Sequence, residues 1–149
     1  MVWAIFESFV DNVFRDKVSE PEVGGIVYCD LALGLAEHSG IYLGNGEIMH
    51  RNSNGLICTV SPRKFLDGTP GISIYTSCHD TRATGWAGAA EQAKYYQKHR
   101  NRDGYALLWR NCHIFSSACL TCNEENTDTF MWMLKDTAKK EINANSWRV

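Results

Sequence analysis

Gly44-Asn45-Gly46 puts a chain reversal between two short strand-like runs, Ser39 to Leu43 and Glu47 to His50. Glycine and asparagine adopt the positive φ that tight reversals demand, so the stretch reads as a β-hairpin. The hairpin constrains more than local structure, because His38 precedes it and His50 follows it. Side chains alternate across a strand, and the length of the loop decides whether both rings share a face. With a three-residue loop and Gly46 left-handed, His50 lies opposite Gly40. His38 is then its diagonal neighbour, at a backbone separation of roughly 7–8 Å that lets the rings meet. A two-residue Asn45-Gly46 loop alone sets His50 opposite Ile41, with the rings on opposite faces. A histidine pair on one face requires the three-residue loop or a compensating bulge.

A use for such a pair comes from Asn111-Cys112, which opens the apolar run Cys112 to Leu120. Asparagine is a good helix N-cap, so Cys112 falls in the first turn, where free N–H groups and the helix dipole favour negative charge. A cysteine near pH 7 is mostly thiol, whereas attack on an ester or amide carbonyl needs thiolate. An imidazole can take the proton while a second polar group holds its tautomer. Cys112 is the candidate nucleophile, with His38 and His50 as candidates for the other two roles. The chain holds six cysteines, and each taken alone reads as a small buried residue. His79 and His113 read as surface or packing residues.

His38-Ser39-Gly40-Ile41-Tyr42-Leu43-Gly44, a second histidine twelve residues after the first, and the distant Asn111-Cys112-His113 together resemble the lecithin:retinol acyltransferase (LRAT) domain family. That family is similar to a circularly permuted, NlpC-type papain-like peptidase. The likeness runs from roughly Gly24 to Leu120. It implies an α+β fold: an antiparallel β-sheet carrying both histidines, packed against helices, one of which begins at the nucleophile. It also implies a thioester acyl-enzyme with Cys112 as nucleophile, His38 as base and His50 as orienting group, without cofactor or metal. The implied substrate is an acyl lipid or an amide. An NlpC-type amidase or peptidase acting on cell-wall-like bonds is the neighbouring reading, and a noncatalytic lipid- or protein-binding module is a reading of another class. Many relatives place a glutamate between the cysteine and the next histidine, whereas His113 follows Cys112 directly, so no role passes to it from the family. The stretch between His50 and Cys112 is compact and no hydrophobic C-terminal anchor is expected after Leu120, so substrate inferences from membrane-anchored relatives carry little weight.

A length of 149 residues suits one domain, large enough to bury roughly two thirds of its unfolded surface. Fifteen basic and seventeen acidic residues leave a net charge of −2, which argues against a nucleic-acid partner. The apolar Val2, Trp3, Ile5, Phe6, Phe9, Val10, Val13 and Phe14 are interrupted by Glu7, Asp11, Arg15 and Asp16. This spacing predicts an amphipathic helix over about 2–16 that closes on the core, with transient membrane-surface contact as the sharper alternative. It lacks the features of a signal peptide, and no transmembrane segment is expected because no run approaches about eighteen apolar residues. The chain is therefore expected to be cytoplasmic, with reduced cysteines. Cys119-Leu120-Thr121-Cys122 has no second C-x-x-C, so a zinc site is not expected.

The remaining pattern predicts strands at Ile26 to Cys29, Leu56 to Val60 and Ile72 to Tyr75, with a polar loop through Thr84. Ser61-Pro62 caps and starts a short helix to Leu66. Further helices are expected from about Trp86 to Arg100, from Cys112 to about Cys122, and over about 128–140 behind a Thr127 cap. Residues after Lys140 read as a loose tail. The Cys112 N–H is the candidate oxyanion donor, with the Tyr28 hydroxyl a weaker one. Trp86 and Trp109 read as core residues before they read as a cleft lining.

Overall fold

A computed structural model describes residues 20–31, 36–69, 73–101 and 112–149. These form β1 (Ile26–Asp30), β2 (Glu37–Gly44), β3 (Glu47–Arg51), β4 (Ile57–Val60), α1 (Pro62–Leu66), β5 (Tyr75–His79), β6 (Arg82–Ala83), α2 (Ala87–His99), α3 (Cys112–Thr121), α4 (Met131–Ile142) and β7 (Ser146–Arg148). The seven strands make one sheet in the order β4-β3-β2-β1-β5-β6, with β7 also paired to β5. Every pairing is antiparallel, so the chain is an α+β protein. The helix expected over about 2–16, Trp109 and the Asn111 cap lie outside the described residues.

The central hairpin meets its geometric requirement by the bulge. Gly44 pairs with Glu47 around a two-residue Asn45-Gly46 turn, and both turn residues have positive φ, 51° and 71°. Beyond it the register shifts at Leu43, so Tyr42 faces Ile48 and Ile41 faces Met49. The extra residue turns the strand by one position and brings His50 opposite Gly40. A two-residue turn thus produces the pairing of a three-residue loop.

Alternation then divides the side chains between two faces. Ile26 and Tyr28 of β1, Ile41 of β2 and Met49 of β3 pack with Ala93, Phe115, Cys119 and Leu134 from α2, α3 and α4. Val27 and Cys29, with Tyr42 and Ile48, pack on the other face against Phe65 of α1 and Ile74. The short α1 starts as its sequence predicts: Ser61 Oγ accepts the Lys64 N–H at 3.2 Å, and Pro62 takes the first turn.

Several boundaries move for tertiary reasons. The final helix starts at Met131 rather than Asp128, because the Asp128 carboxylate accepts hydrogen bonds from Ser117 and Thr137, at 2.7 and 2.5 Å, and pins the chain ahead of the helix. The expected loop before Thr84 is the β5–β6 hairpin. The expected loose tail is β7, where Thr76, Ser77 and Cys78 pair with Arg148, Trp147 and Ser146. Trp86 precedes α2 and is 44% exposed, so it is not a core residue.

Candidate active site

The bulged register places His38 and His50 side by side. His38 Nε2 lies 2.5 Å from His50 Nδ1, with ring centroids 4.8 Å apart and planes at 77°. Phe65 stacks on the His38 ring at 5.0 Å and meets the His50 ring edge-on at 5.6 Å, so α1 forms the apolar floor beneath both. Gly40 makes the approach feasible, since a Cβ there would stand 3.2 Å from the His50 Cβ and 2.8 Å from the Met49 carbonyl oxygen.

Hydrogen-bond valence leaves two tautomer pairs, according to which ring carries the shared proton. One proton is shared between His38 Nε2 and His50 Nδ1. With that proton on His38, its Nδ1 keeps a lone pair, which is the form a base needs, and His50 carries its own proton on Nε2. His50 Nε2 lies 3.5 Å from Cys58 Sγ, which also accepts from Asn52 Nδ2 at 3.7 Å. Burial, reinforced by His50 and His113, takes the His38 pKa down to about 3, and burial takes that of His50 down to about 4. Both rings are therefore neutral at pH 7.

Cys112 is the first residue of α3. Burial pushes its thiol up, opposed by the backbone N–H groups of Ser39, His113 and Cys112 and by the Ser39 side chain, all of which favour the thiolate. The two helix-end N–H groups are the anion-stabilising feature that the N-terminal position predicts. Desolvation outweighs them, so the resting residue is a thiol. Cys112 also lies close enough to Cys29 for the two thiols to influence each other; the Cys29 thiol is pushed up to about 12, mainly by burial. Cys29 is the cross-strand partner of His38. The start of α3 thus meets the β1–β2 ladder at Ser39 and Cys29, which lie beside His38.

Ser39 and His113 belong to this site as well, though neither stands out in the sequence. Ser39 Oγ lies 2.8 Å from His113 Nδ1 and 3.0 Å from Ser116 Oγ, and Ser116 Oγ donates to the Cys112 carbonyl at 2.9 Å. Ser39 and Ser116 are fully buried. Burial takes the His113 pKa down to about 4, opposed by its hydrogen bond to the Glu37 carbonyl. Cys58 is legible only through pairing, since it faces His50 across the β3–β4 ladder.

Other candidates fall away from the site. The Tyr28 hydroxyl accepts from Lys135 Nζ at 3.3 Å, and that ammonium sits 4.7 Å over the Tyr28 ring, which engages the proposed oxyanion donor elsewhere. His79 is exposed, and its Nδ1 lies 2.9 Å from the Asn143 carbonyl oxygen. Cys119 is buried while Cys122 is exposed, so the C-x-x-C pair divides between core and surface. Among the described residues no group of three or more His, Cys, Asp or Glu side chains is placed to hold a metal ion, and no helix is long and apolar enough to cross a membrane.

No family model matches this chain, and neither the curated proteins nor the solved structures give a significant match. Its function is therefore argued from the site.

Proposed function

We propose that this protein is a cysteine-dependent acyltransferase or hydrolase of the LRAT type, with a permuted papain-like fold, acting on an ester or amide through a thioester. The observation that carries the reading is the 2.5 Å approach of His38 Nε2 to His50 Nδ1, beside a helix that begins with Cys112. His50 holds His38 in the tautomer whose Nδ1 is a base. As the Cys112 sulfur bonds to the substrate carbonyl carbon, His38 Nδ1 takes the thiol proton. His38 then returns that proton to the departing alcohol or amine, and the acyl group remains on sulfur. Water or an acceptor alcohol or amine, deprotonated by His38, attacks the thioester and restores the thiol. The N–H groups at the start of α3 face the developing oxyanion. Because the resting pair is thiol and neutral imidazole, proton transfer accompanies attack and does not precede it. A lipid-like acyl donor is favoured by the order of histidines before cysteine.

The test is acyl-enzyme trapping. The parent protein is incubated with a short-chain acyl ester, and peptide mass spectrometry locates any added acyl group. Acylation is expected on Cys112, absent in Cys112→Ala, and slowed by about 10²–10⁴ in His38→Ala, with a smaller loss in His50→Ala. A folded protein whose Cys112 stays unmodified and whose alkylation ignores both histidines would instead be a binding module. The raised Cys112 thiol is the observation that keeps this second reading in play.

A further inference from the structure

Building on the acyl-transfer reading, we propose that His113 is a positioning residue that sets the nucleophile against its base, by tying the first turn of α3 to both chain neighbours of His38. The geometry is a two-point clamp. His113 immediately follows Cys112, and its Nδ1 lies 2.8 Å from Ser39 Oγ. The His113 ring is also held by the Glu37 carbonyl, whose backbone hydrogen bond acts on it. Residues 37 and 39 flank His38 on β2. The residue beside the nucleophile therefore grips the residues on either side of the base.

The protons in the clamp follow from valence. A carbonyl only accepts, so His113 Nε2 carries the proton that goes to Glu37, and Nδ1 accepts from the Ser39 hydroxyl. Ser39 Oγ is then left to accept, and Ser116, one turn along α3 from Cys112, lies 3.0 Å away. Ser116 Oγ also reaches the Cys112 carbonyl at 2.9 Å. The single Ser116 hydroxyl proton goes to Ser39 Oγ or to the Cys112 carbonyl, so Ser116 backs Ser39 from the first turn of α3. His113 is only 5% exposed, and both serines are fully buried. Buried polar groups with complete partners hold one geometry, because any shift leaves a donor or acceptor unpaired. Displacing a reacting group by about 1 Å is enough to cost up to about a hundredfold in rate.

His113 itself has no free valence to exchange a proton with substrate. Its effect must pass through the relation between Cys112 and His38, and this separates it from a residue that merely supports the fold. Three cysteines make the separation measurable in one experiment: Cys112 at the site, exposed Cys122 as reference, and buried Cys119 as reporter of loosening. Iodoacetamide labelling of each is followed by mass spectrometry between pH 5.5 and 9.5. The proteins are the parent, His113→Ala, His113→Gln, His38→Ala and the His38→Ala/His113→Ala double variant.

In His113→Ala, Cys112 labelling near pH 7 is expected to fall about tenfold or more relative to Cys122, with a pH profile that reverts to that of an unassisted thiol. Cys119 stays protected. His113→Gln, whose amide nitrogen can donate to the Glu37 carbonyl, recovers part of the rate. In the His38→Ala background, His113→Ala causes no further loss, since no base remains to be positioned. A His38-dependent Cys112 that ignores His113→Ala, or that loses the same factor with and without His38, overturns the clamp and leaves the acyl-transfer reading intact. Labelling of Cys119 alongside Cys112 loss reduces His113 to a fold support and also overturns it. A Cys112 indifferent to His38→Ala removes the acyl-transfer reading, and the clamp with it.

Discussion

The two faces of β2 each meet imidazole, and they differ in what is left unpaired. On the α1 face, His38 spends Nε2 on His50, and among the described residues no protein group hydrogen-bonds its Nδ1. On the helix face, the His113 ring is engaged by Ser39 through Nδ1 and by the Glu37 carbonyl. Burial lowers the pKa to a similar extent on both sides, to about 3 and 4 in the pair and about 4 in the clamp. A displaced pKa therefore does not distinguish a reactive histidine from a positioning one here. Open valence does: a ring nitrogen left without a partner can accept a proton, and a ring held by Ser39 and Glu37 can only hold position.

The largest expected effect tests what the two sites share. All three histidines have folded pKa values below the ordinary value of 6.5. Between about pH 6.5 and 4 the unfolded chain binds protons that the folded chain refuses, so stability is full above about pH 6.5 and is lost as pH falls towards about 4. The slope is on the order of 1 kcal/mol per pH unit for each histidine that stays neutral. Urea unfolding at pH 7 and 4.5 measures it, and His50→Gln and His113→Gln should each remove one proton from the dependence. A variant with the parent's slope would show that its histidine is not held neutral by the fold.

A smaller effect separates the sites. In Gly40→Ala the new Cβ meets the Met49 carbonyl oxygen at 2.8 Å, Ile48 Cγ2 at 2.9 Å and the His50 Cβ at 3.2 Å. β3 must shift, at about 1–3 kcal/mol of stability, and the His38–His50 hydrogen bond should open. Imidazole nitrogen NMR would then report altered His38 and His50 signals beside an unchanged His113. Perturbation of all three rings would mean that the two faces are not independent.

Cys58→Ala should be the mildest. It removes the sulfur acceptor 3.5 Å from His50 Nε2 and leaves that nitrogen to water or Asn52. Cys112 labelling is expected to slow only a few-fold, because His50 keeps its bond to His38. A loss as large as that of His50→Ala would make Cys58 the principal support of the pair.

Local chemistry made much of this legible. Asn45-Gly46 dictates the turn, Ser61-Pro62 starts α1 where it is found, and alternation along β2 and β3 limits the histidine pair to one permitted register. That register depends on a bulge at Leu43, whose position follows from how Tyr42 and Ile48 share the Phe65 core. Thr127-Asp128 looks like a helix start by local rules, yet the Asp128 carboxylate is taken by Ser117 and Thr137. Ser146–Arg148 has little strand pattern of its own, and β5 supplies the ladder that orders it.

The sequence by itself determined the residue types and the spacings: a hairpin between two histidines, a cysteine opening an apolar helix, and an α+β alternation of elements. These are short-range consequences of turn chemistry, capping and side-chain period. Only the tertiary structure decided that Cys112 meets β2 beside His38, that Cys58 backs His50, and that His113 grips Glu37 and Ser39. Those relations join residues as many as 77 positions apart, as between Ser39 and Ser116. They depend on which buried donors and acceptors find partners once the helices close on the sheet, a condition that no local pattern encodes.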